Sequence, residues 1–162
     1  MKTLDFIHLD ASKTSKVIAG YQQLLADYQL LYANLRGFHW NIEGHNFFVL
    51  HSKFEELYND AASKIDEIAE RIMMLGGKPV NALSKYLEVS RVKEVSGVSC
   101  CDEAAKSILD AFSVIIEEER SLIIAASEAK DEATGSMISD YLKEQEKTVW
   151  MLVAFLTADC KK

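Results

Sequence analysis

Proline and glycine are scarce in this sequence, which has one proline and seven glycines in 162 residues. A sandwich or barrel with many tight turns would use far more of both, so the scarcity favours long uninterrupted helices. Hydrophobic residues make up 49% of the chain, enough to bury one core without disulfides or a structural metal. We therefore predict a single all-α domain over residues 1–162, with residues 1–11 as a short N-terminal tail.

The sequence also has few cysteines and no long apolar run. Cys100, Cys101 and Cys160 are odd in number and two are adjacent, which is typical of reduced thiols rather than a disulfide framework. No apolar stretch approaches the roughly 20 residues that a transmembrane helix needs, and the N-terminus lacks the features of a secretory signal. We expect a cytoplasmic protein without a membrane partner, with association with the nucleoid as the alternative location.

The sequence also has no excess of positive charge. The formal net charge is −7, from 18 Lys and Arg against 25 Asp and Glu. The N-terminal lysines Lys2, Lys13 and Lys16 are scattered, and the run Lys161–Lys162 is short. Because nucleic-acid binding depends on a positive surface that neutralises phosphates, this balance argues against direct DNA binding.

Apolar residues recur in steps of three and four along four long segments, which predicts four helices. The first begins at Asp10–Ser12, and the second extends from Phe47 to the break at Gly76–Pro79. The third extends from about Asp102 to Ala129, and the fourth begins at about Thr134. A short loop joins the first two helices, whereas residues 80–99 form a long crossover that carries a short helix at 82–89. This connectivity predicts a ferritin-like four-helix bundle rather than a simple up-and-down bundle.

The second helix carries four potential metal ligands on one stripe. With His51 at zero on a wheel of ~100° per residue, Glu55 falls at about 40°, Asp66 at about 60° and Glu70 at about 100°. The apolar residues of this helix lie between roughly 240° and 320° on the same wheel. One face of the helix therefore fills the core, and the other presents an imidazole and carboxylates.

This stripe is too long for one metal site. His51 and Asp66 are about 22 Å apart along a helix that rises ~1.5 Å per residue, whereas metal bonds to nitrogen or oxygen are roughly 2 Å long. A two-fold axis near Asn59 or Asp60 would bring Asp66 and Glu70 of one chain opposite His51 of another. The sequence therefore predicts a homodimer that holds two equivalent shared sites.

Imidazole and carboxylate ligands together favour a redox-active metal. His39, at the end of the first helix, is within sequence reach of the second helix and is predicted to join His51. This ligand set suits iron better than calcium, while zinc is also compatible. Glu55 lies one turn from His51 and can hold a second metal ion or a water, so two close iron positions can pass electrons to an oxidant in pairs.

A metal site inside the bundle, of the kind that ferritins build from Glu-x-x-His motifs, is not expected. The sequence has four histidines, and none has a glutamate three residues before it: His8, His39, His45 and His51. The metal site must therefore be built in another way.

Three runs of residues resemble the signature of the Dps-type mini-ferritins. The run HWNIEG at 39–44 and the run DEIAER at 66–71 flank a middle set made of Phe47, Leu50, His51, Phe54, Glu55 and Tyr58. Spacing, residue types and loop all agree, and the similar helix plan extends over nearly the whole chain. In that family, dodecameric cages oxidise ferrous iron at dimer interfaces, usually with hydrogen peroxide as the favoured oxidant, and store ferric mineral inside.

The resemblance implies a ferroxidase and iron-storage function for this chain in a cytoplasmic dodecamer built from two-fold dimers. His39 and His51 of one chain would bind the first iron with Asp66 and Glu70 of its mate, and Glu55 would assist a second iron. Hydrogen peroxide or dioxygen would accept the electrons. The cage would thereby protect DNA and the cell from oxidative damage.

DNA binding is where the sequence departs from part of that family. Members that bind DNA often use a mobile lysine-rich terminal tail, whereas this N-terminus carries acids among few lysines. Twelve chains at −7 would carry roughly −84, which should repel a polyanion. A nucleoid-binding structural protein with a secondary metal site is the alternative function, and a metal-buffering bundle without turnover is a third.

The resemblance also implies acidic pores near the start of the last helix, through which iron passes. Asp131 and Glu132 are the candidate pore residues, although Ser136 stands where relatives often have another acid. The alternative is an ordinary helix N-terminus, which favours acids through its dipole.

Overall fold

The computed structural model describes residues 2–157, a range without β-strands. Its helices are α1 (Thr3–Ile7), α2 (Ala11–Asn41), α3 (Phe47–Met74), α4 (Leu83–Val89), α5 (Cys101–Ala129) and α6 (Glu132–Thr157). The four long helices form one bundle, in which α2 packs against both α3 and α5, and α6 packs against α5. The predicted all-α bundle with a long crossover carrying a short helix is confirmed. Within residues 2–157, no helix combines the length and the apolar character that crossing a bilayer requires.

The N-terminal segment differs from the sequence-based expectation. Asp10 caps α2, because its carboxylate accepts hydrogen bonds from the backbone N–H of Ser12 at 2.8 Å and from the Ser12 hydroxyl at 2.6 Å. The residues before it, predicted as a tail, include the short helix α1 with a buried Leu4. A Cβ at Gly76 would lie 3.6 Å from Leu4 Cδ1, so apolar contact holds α1 beside the end of α3.

A glycine turn ends α3. Gly76 has a φ of 82°, in the left-handed region that glycine adopts without strain. Its N–H donates to the carbonyl of Met73 at 2.9 Å, and the N–H of Gly77 donates to the carbonyl of Ile72 at 2.9 Å. These bonds satisfy carbonyls at the helix end, as the sequence predicted.

The long crossover is held on α2 by two buried polar side chains. Asp27 is fully buried, and its carboxylate accepts hydrogen bonds from the backbone N–H of Arg91 at 2.6 Å and the hydroxyl of Ser90 at 3.0 Å. Asn34 donates to the carbonyl of Lys93 at 2.7 Å and accepts from the N–H of Val95 at 3.0 Å. These bonds satisfy backbone groups that the crossover would otherwise leave without partners.

The crossover leads to two cysteines at the start of α5. Cys100 is exposed, Cys101 is buried, and both are free thiols. The N–H of Glu43 donates to the carbonyl of Ser99 at 2.9 Å, which ties this point to the loop between α2 and α3. Three residues named in the sequence analysis lie outside the described residues: Cys160, Lys161 and Lys162.

Helix α3 presents two different faces. Its buried stripe consists of Leu50, Phe54, Leu57, Ala61, Lys64, Ile68 and Ile72. On its other side His51 is half-buried, and Glu55, Asp66 and Glu70 are exposed. The division agrees with the predicted helical wheel, except that Lys64 lies within the buried stripe. One helix therefore supplies both the core and the candidate metal ligands.

Candidate metal centre

The adjoining ends of α2 and α3 bring His39 and His51 into contact. Their rings are stacked, with centroids 3.7 Å apart and planes 19° apart. Each ring Nδ1 lies 2.8 Å from the backbone carbonyl oxygen of the other histidine. Because a carbonyl oxygen only accepts, each Nδ1 carries the proton and donates it in this pair of bonds. In the neutral rings, both Nε2 atoms are then left with free lone pairs, the form in which imidazole binds metals.

Aromatic side chains surround the histidine pair. The ring of Phe47 stacks on His51 with centroids 4.9 Å apart, and the ring of Tyr58 meets His39 edge-on at 5.3 Å. The hydroxyl of Tyr58 donates a long hydrogen bond, 3.5 Å, to the Glu55 carboxylate. Desolvation and the charge of Glu55 raise the pKa of Tyr58, so its hydroxyl keeps the proton that it donates.

The two other predicted ligands lie far from this pair within one chain. Asp66 and Glu70 are exposed farther along α3, and their side chains make no hydrogen bond or ion pair within residues 2–157. Across that same range, no three His, Cys, Asp or Glu side chains converge on a common point. Within one chain the predicted ligands are therefore divided into two separate groups, the imidazoles of His39 and His51 and the carboxylates of Asp66 and Glu70.

Asp131 has a structural role that excludes it from an open pore. It is buried, and its carboxylate pairs with the guanidinium of Arg71 at 2.6 Å. It also accepts hydrogen bonds from the N–H of Thr134 at 3.0 Å and from the Thr134 hydroxyl at 2.7 Å. The helix N-terminus interpretation is therefore correct for Asp131, whereas Glu132 remains exposed.

A second group of polar residues, which was not predicted from the sequence, lies inside the bundle. Each of the four long helices contributes one buried polar side chain, and we call this group the interior polar layer: Tyr28 from α2, Lys64 from α3, Glu119 from α5 and Gln145 from α6. The amide of Gln145 donates to Glu119 Oε1 at 2.7 Å and to the hydroxyl of Tyr28 at 2.5 Å. The hydroxyl of Tyr28 donates to the same Glu119 oxygen at 3.1 Å.

Two oxygens of the interior polar layer remain without partners. Glu119 Oε2 and Gln145 Oε1 are buried and have no hydrogen bond among the described residues. Burial raises the pKa of Glu119 to about 7, although the hydrogen bonds from Gln145 and Tyr28 and the charge of Lys64 act in the opposite direction. The interior polar layer therefore places two oxygens without hydrogen bonds in an apolar core.

Lys64 is the member of this layer whose hydrogen-bond partners lie at the surface. It is 4% exposed, and its ammonium donates to Asp60 and, at 2.8 Å, to Glu144. The ammonium also lies 5.0 Å from the ring centroid of Tyr141, which meets Tyr28 edge-on with ring centroids 6.3 Å apart. Outside Lys64, a cavity of about 270 Å³ lies between α3 and α6, and its lining includes Asp60, Glu67, Asp140 and Glu144.

Comparison with known proteins decides the family. A model of the ferritin-like domain matches residues 18–159. The DNA protection during starvation protein of Porphyromonas gingivalis is 47% identical over 156 residues, which cover 96% of this chain and 98% of that protein. This chain belongs to the Dps family.

Further relatives agree with the Dps assignment. General stress protein 20U of Bacillus subtilis is 43% identical over 111 residues, 68% of this chain and 77% of that protein. A solved Dps structure from Vibrio cholerae, described as a member of a broad superfamily of ferritin-like diiron-carboxylate proteins, has a TM-score of 0.89 and 43% identity. It covers 91% of this chain and 93% of its own. The resemblance to the Dps family and the ferritin-like fold are both confirmed.

Proposed function

We propose that this Dps family member is a ferroxidase that oxidises ferrous iron at sites shared between two subunits. The observation that carries the proposal is the division of the candidate ligands into two half-sites, one toward each end of α3. His51 and its contact partner His39 lie at one end of α3, and the unpaired carboxylates of Asp66 and Glu70 lie toward the other. A two-fold axis that pairs α3 with its copy joins each half-site to its complement.

The side chains have distinct roles in such a shared site. His39 and His51 bind ferrous iron through Nε2, because their Nδ1 atoms are engaged with backbone carbonyls. Asp66 and Glu70 of the partner subunit supply the charge that stabilises the ferric product. Glu55, oriented by the Tyr58 hydroxyl, serves a second iron position next to the first.

In the proposed reaction, two ferrous ions reduce one molecule of hydrogen peroxide. Each ferrous ion gives up one electron, the oxygen–oxygen bond breaks, and two protons are taken up to form two waters. Dioxygen is the alternative oxidant. The ferric product is stored as mineral inside a hollow homo-oligomer, a dodecamer of two-fold dimers.

We further infer that the protein acts in the cytoplasm and protects DNA and the cell by removing ferrous iron and peroxide. The Porphyromonas gingivalis relative is itself named for DNA protection during starvation. Direct DNA binding is not part of the proposal, since a net charge of −7 per chain opposes contact with phosphates. The same charge argues against the alternative of a nucleoid-binding structural protein.

The first test replaces one ligand from each half-site. His51→Ala and Asp66→Asn should each slow iron oxidation by at least about 100-fold, since losing even an outer partner of a metal ligand costs roughly 10–100-fold. Stopped-flow absorbance after addition of ferrous iron and peroxide measures the rate, and size-exclusion chromatography checks assembly. Glu56→Gln, which removes an exposed charge beside Glu55, is the matched control and should leave the rate unchanged.

Mixed assemblies test whether the site is shared. In a dimer of one His51→Ala chain and one Asp66→Asn chain, one site carries both substitutions and the other carries neither. Refolding the two variants together should therefore restore roughly a quarter of the oxidation sites if the chains pair at random. Recovery no greater than that of the separate variants would contradict the shared site.

A further inference from the structure

Arg36 is held on α2 against two aromatic rings. Its guanidinium carbon lies 5.1 Å from the ring centroid of Tyr32 and 4.8 Å from that of Trp40. Its Nη1 donates a hydrogen bond to the Tyr32 hydroxyl at 3.1 Å. We call these residues, which lie four apart along one side of the helix, the α2 stripe: Tyr32, Arg36 and Trp40. The aromatic contacts fix the position of the guanidinium without neutralising its charge.

Arg36 differs from the other arginines in having no carboxylate partner within residues 2–157. Each of the others forms an ion pair there: Arg71, Arg91 and Arg120. Arg36 is half-buried, and its Nε is enclosed without a hydrogen bond, so an outside partner can reach only the terminal nitrogens. A half-buried cation without an anion is unfavourable, and a carboxylate from another chain would compensate it.

The α2 stripe lies on the same face of the bundle as the candidate metal ligands. Tyr32 meets Tyr58 edge-on with ring centroids 6.2 Å apart, and Tyr58 in turn contacts His39 and donates to Glu55. Trp40 is 64% exposed on this face. Because tryptophan, tyrosine and arginine are the residues that most often dominate binding between proteins, the stripe has the composition of an interface.

We propose that Arg36 forms an ion pair with Asp66 of the partner subunit and acts as a positioning residue for that ligand. The inference rests on the proposed function, from which it takes the shared site and its two-fold axis. It adds a contact that joins the two chains before iron binds.

Ring contacts between α2 and α3 give the level of Arg36 along the bundle. Phe38 meets Phe54 with ring centroids 6.1 Å apart, and one to two turns farther from the end of α2 Tyr32 meets Tyr58 at 6.2 Å. The two helices are therefore antiparallel. Arg36 lies between these contacts and is level with about residue 55 of α3.

This level selects one carboxylate of the partner subunit. The proposed axis near Asn59 or Asp60 is about four or five residues farther along α3, and an equal distance beyond it reaches about residues 63–65 of the other chain. The nearest acid of the ligand stripe is Asp66, whereas Glu70 lies a further four residues, about 6 Å, along the helix. Asp66 is exposed and has no partner in its own chain within residues 2–157.

Asp66 can serve Arg36 and iron together, because a carboxylate has two oxygens that both accept. One oxygen can accept from a terminal nitrogen of Arg36 while the other remains available to the metal ion. Such charge-assisted bonds are strong where an interface excludes water. A carboxylate held in place before iron arrives also has less freedom to lose when iron binds.

Charge reversal in metal-free chains tests the ion pair. Arg36→Glu and Asp66→Arg should each weaken self-association at least about tenfold, because each homodimer then brings like charges together at both contacts. In a mixture of the two variants, a heterodimer has the natural pair at one contact and the reversed pair at the other, so association should return nearly to that of the wild type. Sedimentation velocity over a dilution series measures association, and circular dichroism checks the helix content of each chain.

Glu70→Arg is the matched control, because it reverses the neighbouring acid of the same stripe. Its mixture with Arg36→Glu should not recover association. If a reversed chain does not fold, Arg36→Met and Asp66→Asn replace the pair, and the effect of the double variant on association should be much smaller than the two single effects combined.

Three results would overturn the proposal: a mixture of reversed chains that associates no more tightly than either variant alone, equal recovery with Glu70→Arg, or additive effects of the milder substitutions. All are measured without iron, so they do not depend on oxidation. If the mixed His51→Ala and Asp66→Asn assembly recovers oxidation while the reversed chains do not recover association, the shared site stands and only the role of Arg36 is lost.

Discussion

The exposed ligand stripe of α3 and the interior polar layer are both rich in polar groups, but they differ in how those groups are satisfied. Asp66 and Glu70 are exposed and have no side-chain partner within residues 2–157, so water can solvate their charges. Glu119 and Gln145 are buried and bonded to each other, yet each has one oxygen without a partner. In the proposed shared site, the ligands can remain solvated until a second subunit completes it, whereas a buried layer must be satisfied within its own chain.

Alanine substitutions in the two regions should therefore differ greatly in how much they lower the stability of the fold, and this is the largest difference that we expect. Glu119→Ala should lower the free energy of unfolding by on the order of 4 kcal/mol at pH 5, because it leaves a cavity and removes the acceptor used by Tyr28 and Gln145. Glu70→Ala should change that free energy by less than about 0.5 kcal/mol in the metal-free protein. Urea unfolding followed by circular dichroism measures both.

Iron oxidation supplies the other half of this comparison. Folded Glu119→Ala chains should oxidise ferrous iron at the wild-type rate, since Glu119 has no contact with the histidine pair, whereas Glu70→Ala should be slow. Equal losses of stability in the two metal-free variants would show that burial does not separate the two regions as we infer.

The pH dependence of stability should also distinguish the interior polar layer from the exposed ligand stripe, but the expected change in the free energy of unfolding is smaller. Burial raises the pKa of Glu119 to about 7 from an ordinary value of 4.5, so the folded state favours the protonated acid. The stabilisation is complete below about pH 4.5, is lost as the pH rises to about 7, and should amount to about 3 kcal/mol. Lys64, whose charge acts on Glu119, stays protonated throughout because its pKa is raised.

Glu119→Gln isolates this contribution. An amide cannot titrate, and its NH₂ group places a donor where the carboxylate has an oxygen without a partner. The difference in unfolding free energy between this variant and the wild type should therefore grow in favour of the variant from pH 4.5 to 7. Subtracting the two curves removes contributions that both chains share, and a difference that is flat with pH would show that Glu119 does not titrate in this range.

Much of the fold could be predicted because apolar residues repeat in steps of three and four. The same repeat could have revealed the interior polar layer. Glu119 lies at the core step between Ile115 and Leu122, and the other members occupy equivalent steps: Lys64 between Ala61 and Ile68, and Gln145 between Leu142 and Val149. A pattern built from apolar residues alone passes over a polar residue within the same stripe.

Other features depend on contacts that are distant in sequence. An acid at a helix N-terminus suits a cap and a pore equally. The bond from the Thr134 N–H makes Asp131 the cap, and the ion pair with Arg71, on another helix, holds it away from solvent. The proximity of His39 to His51 follows from the short loop between their helices. Their reciprocal bonds to each other's carbonyls depend on the relative position of two helix backbones, which residue spacing does not specify.

The smallest effect that we expect concerns Glu55, which lies on the ligand stripe but makes only a long hydrogen bond. Glu55→Gln should slow iron oxidation by less than about tenfold, since it removes the charge that serves the second iron position while leaving both histidines in place. The loss should be greater at two ferrous ions per site than at one. Stopped-flow traces at the two loadings measure this difference.

Tyr58→Phe sharpens the same comparison. It removes the hydroxyl that orients Glu55 but keeps the ring that packs edge-on against His39, so it should reproduce part of the Glu55→Gln defect at the higher iron loading. Glu56→Gln again serves as the control, because the Glu56 carboxylate is next to Glu55 in the sequence but pairs with Lys53 and not with Tyr58. If Glu55→Gln slows oxidation as much at one ferrous ion per site as at two, Glu55 acts on the first iron position, and the assignment of a separate second position to this residue is wrong.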